Sequence, residues 1–355
     1  MHDAHGRCIL EDAVDVTPFK SYSSTSVIFN EVNLASTLEH LGQGSDHTAP
    51  LTLVVSHEPA DASATDVAEQ VKLLREAAGR TAFLVLWHPC AIEDPVLRCT
   101  AFDSGANMVT HSQRDLSAAL SKVVGQRGGG AISCHMCGLT HLTAEDYWHH
   151  LPLYHINAPN VAALCVVCNK TVPNLQVHVH EAHNPSGPCH EERLGIGSAV
   201  IVHRLSDDKF LMVQEFAGQG FWLPGGGLDR GETLRDCAVR ECVEEAGVRV
   251  ELVGVAQVQE KDMGAYHWRL VTFYATLVED GGEGELVASR GAKTVPDFES
   301  VGACWVSASE LDAIPLRCAE LPRAWFGRLS GGGHPLVFPM ELPGDVAHLF
   351  GDVAF

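Results

Sequence analysis

Apolar residues recur with different periods along the 355-residue chain, and the changes of period divide it. Leu51-Thr52-Leu53-Val54-Val55 and Ala82-Phe83-Leu84-Val85-Leu86-Trp87 are short apolar runs of the kind found in buried strands. Between them Val67, Val71, Leu73, Leu74 and Ala77 fall at helical spacing and predict a helix over Asp66–Ala78. A short helix around Pro95–Gly105, a strand near Asn107–Thr110 and a helix over Leu116–Val124 complete an alternation that implies a parallel sheet with covering helices. The glycine-rich stretch from Gly125 to Gly130 breaks the pattern. A third zone opens after a second break, Asn184–Pro188. There Ser198–Val202 and Lys209–Val213 predict a hairpin through Leu205–Asp208, and Phe221-Trp222-Leu223 a strand running into a glycine loop. Helical spacing holds from Thr233 until Gly247, a natural stop. Strands over Leu252–Val258 and Arg269–Val278, then Ala303–Val306 with a helix at Ser307–Leu311, follow. The tail over 331–355 is rich in Gly and Pro and stays unassigned.

Composition narrows the class. With 46% apolar and 19% charged residues the chain is that of a soluble, multidomain globular protein. No apolar run approaches the roughly 18 residues needed to cross a bilayer. The net charge of −21 sets the chain against nucleic-acid backbones unless a basic patch compensates. Met1–Gly6 lacks the basic and apolar regions of a signal peptide, so the expected compartment is cytoplasmic or nuclear. Three domains are expected: an α/β domain over 1–124, a Cys/His-rich module over 131–190, and an α/β domain with a C-terminal extension over 194–355.

In the first, "AFDSGANMVT" (Ala101–Thr110) resembles the stretch before the last strand of a response-regulator receiver, a flavodoxin-like fold. Where receivers keep an acceptor aspartate, a Ser/Thr and a lysine, this chain has Ser56 or His57, Trp87 or His88, and Thr110 or His111. Phosphotransfer chemistry would be absent. A degenerate receiver and a plain small α/β domain both stay open, each implying a regulatory or protein-partner surface.

Twelve cysteines and twenty histidines are unusual numbers, and five of the cysteines fall between 131 and 190. Cys134-x2-Cys137-x12-His150-x4-His155 has the spacing of a Cys2His2 zinc finger. Cys165-x2-Cys168-x9-His178-x4-His183 repeats it with a shorter middle, and Leu175 stands three before His178, where such fingers keep a core leucine. Two structural Zn2+ ions are expected. His149 could replace His150, Cys189 or His190 could join a mixed set, and free thiols are the remaining alternative. Lys170 is the lone basic residue there, against three acids. Nucleic-acid reading is therefore disfavoured relative to a structural staple or protein-binding module.

The most specific pattern is "GGLDRGETLRDCAVRECVEEAGV" (Gly226–Val248): Gly226, five residues, Glu232, seven residues, Arg240-Glu241-Cys242, then Glu244-Glu245-Ala246-Gly247-Val248. It resembles the Nudix box, with Cys242 where an aliphatic is usual, and the resemblance covers about 194–330. It implies an α/β/α sandwich. On a helix, Glu241, Glu244 and Glu245 fall within one arc of roughly 100°. Leu234, Ala238, Val239, Cys242, Val243 and Ala246 occupy the expected packed side. Hard oxygen donors gathered this way suit Mg2+ or Mn2+. By resemblance, Glu241, Glu244, Glu245 and Glu232 are metal ligands and Arg240 orients them. Gly225, Gly226 and Gly227 let backbone approach a substrate beside Trp222, and Glu299, or else Asp297, is the candidate general base. Phe221, Tyr266, Trp268, Phe298 and Trp325 are further candidates for stacking on a base. The implied activity is hydrolysis of a nucleoside diphosphate linked to another group, in the ADP-ribose, nucleotide-sugar, dinucleoside polyphosphate or oxidised-nucleotide class. A non-catalytic nucleotide sensor is the main rival, and an enzyme of RNA ends docked through the fingers is the second.

Overall fold

A computed structural model describes residues 25–31, 51–57, 63–125, 129–155, 162–187, 195–262, 267–278, 291–333 and 338–339. These form two compact units, the first comprising 1–187 with 216–218 and 294–298, the second the remainder. Among the described residues no helix is long and apolar enough to cross a membrane.

In the first unit, β1 (Thr25–Glu31), β2 (Leu51–His57), β3 (Phe83–Trp87) and β4 (Met108–Thr110) make a parallel sheet in that order. Helices α1 (Ala64–Ala78), α2 (Pro95–Asp103) and α3 (Gln113–Gly125) alternate with the strands. Among the described residues the strands run in chain order. Ser63 caps α1 by accepting from Asp66 N, and Asp94 caps α2 by accepting from Leu97 N. Asn107 is the knot of the unit. Its Oδ1 accepts from Leu84 N at 2.8 Å and from Arg75, and its Nδ2 donates to Leu153 O at 3.2 Å.

Leu153 belongs to α4 (Ala144–Tyr154), the helix of the Cys/His module. It packs into the same apolar cluster as Phe83, Val85, Met108 and Leu120. The α/β part and the Cys/His module therefore share a core, although a glycine stretch separates them in sequence. The module continues with the hairpin β5 (Ala163–Cys165) and β6 (Lys170–Val172) and the short helix α5 (Leu175–Ala182).

The second unit is built on β7 (Ile196–Arg204), β8 (Lys209–Glu215), β9 (Gly220–Trp222), β10 (Gly225–Gly227), β11 (Val250–Asp262), β12 (His267–Leu277), β13 (Gly302–Val306) and β14 (Phe338–Pro339). Its main path runs β13-β8-β7-β12-β11-β14, with β9 on β8 and β10 on β7. The expected hairpin forms, with His203 opposite Phe210. Two helices cover the sheet: α6 (Leu234–Ala246) and α7 (Glu320–Leu329), the latter preceded by a 3-10 turn at Ala308–Ala313. Alternation along β7 puts them on opposite faces. Ser198 donates to Cys237 of α6, whereas His203, of opposite parity, stacks on Phe210, which stacks on Phe326 of α7. The result is the expected sandwich. Central β7 is buried on both faces from Gly197 to His203, which explains its nearly unbroken apolar sequence.

Candidate active site

The acidic cluster lies on α6, with Glu232 in the link that enters it. Thr233 and Asp236 close a capping box at the start of α6, and Gly247, left-handed at φ 71°, ends it. Both limits are those expected. The facing of the helix is not. Val243 is 41% exposed and Val239 half-buried, while Glu241 and Glu245 lie at 6% and 8% on the stripe of Leu234, Cys237 and Ala238. The reason lies opposite. Gly225–Gly227 pairs as a strand with Gly197–Ala199 and presents no side chains to the helix, which leaves room for two carboxylates. A Cβ on Gly226 would stand 2.3 Å from Glu241 Oε1.

Arg240 braces three of the four glutamates. Its Nη1 donates to Glu241 Oε1 at 2.8 Å and to Glu244 Oε2 at 2.9 Å. Its Nε and Nη2 hold both oxygens of Glu232, at 2.8 and 3.0 Å, and Nη2 also reaches Gly227 O. Glu245 stands outside this brace. Its Oε2 accepts from Gly225 N at 2.9 Å, and no Lys or Arg pairs with it among the described residues. Glu299 is exposed, yet its charge reaches both Glu241 and Glu245. Asp297 belongs to the first unit, where it bears on His149. Trp222 is half-buried on β9, and the Trp268 ring lies near Gly227. Phe221, Phe298 and Trp325 are buried core residues, and Tyr266 lies outside the described residues.

Sequence reasoning missed Glu215, the last residue of β8, which is buried and adds its charge to that felt by Glu245. Its position at the end of an apolar run gives no signal in the sequence.

Burial pushes Glu241 up to about 7 against the pull of Arg240. Burial, then repulsion from Glu215 and Glu241, raises Glu245 well above the ordinary carboxylate range. Carboxylates so raised need a proton or a cation. Buried hard oxygen donors suit Mg2+ or Mn2+, and Glu241 and Glu245 are the two buried carboxylates of the box that could hold such an ion.

In the first unit the Cys/His pairs converge as their spacing implies. Cys134, Cys137, His150 and His155 form one group and Cys165, Cys168, His178 and His183 a second, each with donor atoms within 4.8 Å of one another. His150 Nε2 lies 3.4 Å from Cys137 Sγ and 3.1 Å from His155 Nε2, and Cys134 Sγ lies 3.3 Å from His155 Nε2. In the second group the matching Sγ–Nε2 distances are 3.4 and 3.3 Å. A tetrahedral zinc with bonds of about 2.0 Å to nitrogen and 2.3 Å to sulfur requires edges of roughly 3.3–3.8 Å. The donor sets fit that ion. His149 turns away and meets Trp148 edge-on, while Cys189 and His190 lie outside the described residues. Thr143 caps α4 by accepting from Asp146 N, and Asn174 caps α5 by accepting from Val177 N.

A profile of the NUDIX domain matches residues 195–324. YvcI of Bacillus subtilis, named an uncharacterised Nudix hydrolase, is 34% identical over 142 residues, 38% of this chain and 74% of YvcI. The chain belongs to the Nudix hydrolase family. That family hydrolyses phosphoanhydride bonds, and its box falls on β10 and α6. The human 8-oxo-dGDP phosphatase NUDT18 is 32% identical over 46% of this chain and 49% of its own. Nudix hydrolase 4 of Arabidopsis thaliana is 23% identical over 51% of this chain and 84% of its own. The chain thus spans about half the length of the human relative, and 35% of a Caenorhabditis elegans sequence named for the same family.

Proposed function

We propose that this Nudix protein is a pyrophosphohydrolase dependent on Mg2+ or Mn2+ that cleaves a nucleoside diphosphate derivative. The observation carrying this reading is Glu245, a buried carboxylate that feels the charge of two others, accepts one backbone N–H and has no Lys or Arg partner among the described residues. A folded protein that used this helix only for packing would keep an apolar residue there. When bound, the ion supplies charge neutralisation at the phosphoryl oxygens and lowers the pKa of a coordinated water. Glu241 and Glu245 would hold it, while Glu232 and Glu244 work through Arg240 to fix the helix side of the site. Gly225–Gly227 lets the diphosphate approach the backbone beside Trp222. Glu299, exposed and near both inner carboxylates, would take the proton of the attacking water as the P–O bond to the leaving phosphate breaks.

The likeness to the human 8-oxo-dGDP phosphatase puts oxidised guanine nucleotides first among candidate substrates, ahead of ADP-ribose, nucleotide sugars and dinucleoside polyphosphates. The two Cys/His groups would hold structural Zn2+, making the first unit a regulatory or partner-binding body. Phosphate release from 8-oxo-dGDP, ADP-ribose, UDP-glucose and diadenosine tetraphosphate, with and without Mg2+, tests the reading. Mg2+-dependent turnover of any of these supports it. Tight binding of a nucleotide without turnover would move the chain to the sensor class.

A further inference from the structure

The pair Glu215–Arg317 lies outside the Nudix box. Glu215 is 6% exposed at the end of β8, opposite Gly220 of β9. Arg317 Nη1 donates to its Oε1 at 2.8 Å. The backbone of Arg317 is fastened as well: its N–H donates to Phe221 O at 2.9 Å, and Phe221 N donates to Pro315 O at 2.7 Å. This close approach needs Gly220, at φ 92°, where a Cβ would stand 2.7 Å from Pro315 O. The segment 315–317 is therefore laid along β9, the strand that leads into the glycine turn. The Arg317 side chain is 49% exposed, with one nitrogen on Glu215.

As a stability device this arrangement is poor. Burial raises Glu215 itself, and its charge adds to the cost of burying Glu245, so an apolar residue at 215 would be neutral or better. Its geometry suits another task. A buried acceptor grips one nitrogen of a half-exposed guanidinium, and the planar fork is then held in one orientation. Resting on the pyrophosphohydrolase reading, we propose that Arg317 is a substrate-binding residue that contacts a phosphoryl oxygen of the diphosphate, and that Glu215 is its positioning residue. The cluster would then answer the substrate's charge from two sides: metal ions on the α6 side, and a fixed cation at the end of β9.

The test uses the full chain and magnesium pyrophosphate as probe, with binding read by calorimetry. Arg317→Ala is expected to weaken it ten- to thirtyfold and leave Mg2+ binding in the absence of pyrophosphate unchanged. Arg317→Lys, which keeps the charge and loses the fork, should recover part of the loss. Glu215→Gln should weaken it three- to tenfold with Arg317 intact. On any substrate turned over by the wild type, Arg317→Ala should raise KM at least tenfold and lower kcat by less. Should Arg317→Ala lower the melting temperature, Arg317→Gln, which retains the stem, replaces it. Pyrophosphate affinity and KM within twofold of wild type in a folded Arg317 variant would overturn the proposal, as would a wild type that binds no magnesium pyrophosphate. A wild type that turns over nothing, yet binds the probe through Arg317, would remove the catalytic reading and leave this one standing.

Discussion

Replacing Gly226 by alanine tests the packing of strand against helix at the centre of the site. The added methyl would stand 2.3 Å from Glu241 Oε1, where ordinary contact begins at 3.4 Å, so the carboxylate must withdraw by about 1 Å. The obstacle is the end of a flexible side chain, so the helix need not move. The displaced carboxylate strains the 2.8 Å bond from Arg240 Nη1. Losing such a charged hydrogen bond costs roughly 1.5–3 kcal/mol at full burial, and less here because the Arg240 side chain is 25% exposed. Chemistry should suffer more than stability. A misplacement of about 1 Å in a reacting group costs on the order of a hundredfold, near 2.7 kcal/mol of barrier. The assay is Mg2+-dependent kcat/KM on whichever nucleotide the wild type cleaves, beside a thermal melt. A Gly226→Ala enzyme within threefold of wild type would mean that Glu241 has no fixed place in the mechanism.

Glu245→Gln should lower turnover by about three orders of magnitude if the carboxylate holds the ion. Because it removes an unpaired buried charge, the metal-free variant should melt no lower than wild type at pH 8, and lose the upward shift that Mg2+ gives; a large drop in melting temperature would assign Glu245 to folding. Glu241 keeps its proton up to about pH 7 in the metal-free fold, whereas an ordinary glutamate ionises near 4.5. Between those values the folded state binds the extra proton, so the Glu241 contribution to metal-free stability should fall as pH rises towards 7. Mg2+ must displace that proton and the one that raised Glu245 retains, so its affinity should climb with pH, by tenfold per unit or more below about 7; calorimetric titrations from pH 5.5 to 8.5 giving one constant value would contradict this. Elemental analysis should find two zinc ions per chain, one after Cys165→Ala, and a Cys134→Ser chain should retain the ion of the second group. Full zinc content in both variants would dissolve the ligand assignment.

The elements that carry their own start and stop signals were legible from the residues. Thr233 with Asp236 and Gly247 bound α6 in sequence as in space, and the period of Val67, Val71 and Leu74 marks α1. What stayed hidden depends on partners distant in the chain. Nothing in three consecutive glycines suggests a strand; β10 exists because Gly197–Ala199 pairs with it. The burial of Glu241 and Glu245 follows from those same glycines, so a helical wheel alone misassigns the face and promotes Val243 to the core. Helix α7 is disguised by Pro322, which is tolerated because it falls in the first turn, where an amide would lack a partner. The choice between His149 and His150 turns on the direction of neighbouring side chains, about 100° apart on one helix, and no spacing rule resolves it.

Helix α4 ties two kinds of integrity together. The histidines of the first Cys/His group, His150 and His155, bracket the four residues that include Leu153, which the parallel sheet takes as part of its own interior. If a metal is what holds that bracket shut, then starving the protein of it would loosen a core that contains no ligand at all. Scarcity of a trace element would then be felt as faster turnover of the polypeptide, with the amount of enzyme falling before its intrinsic rate changed.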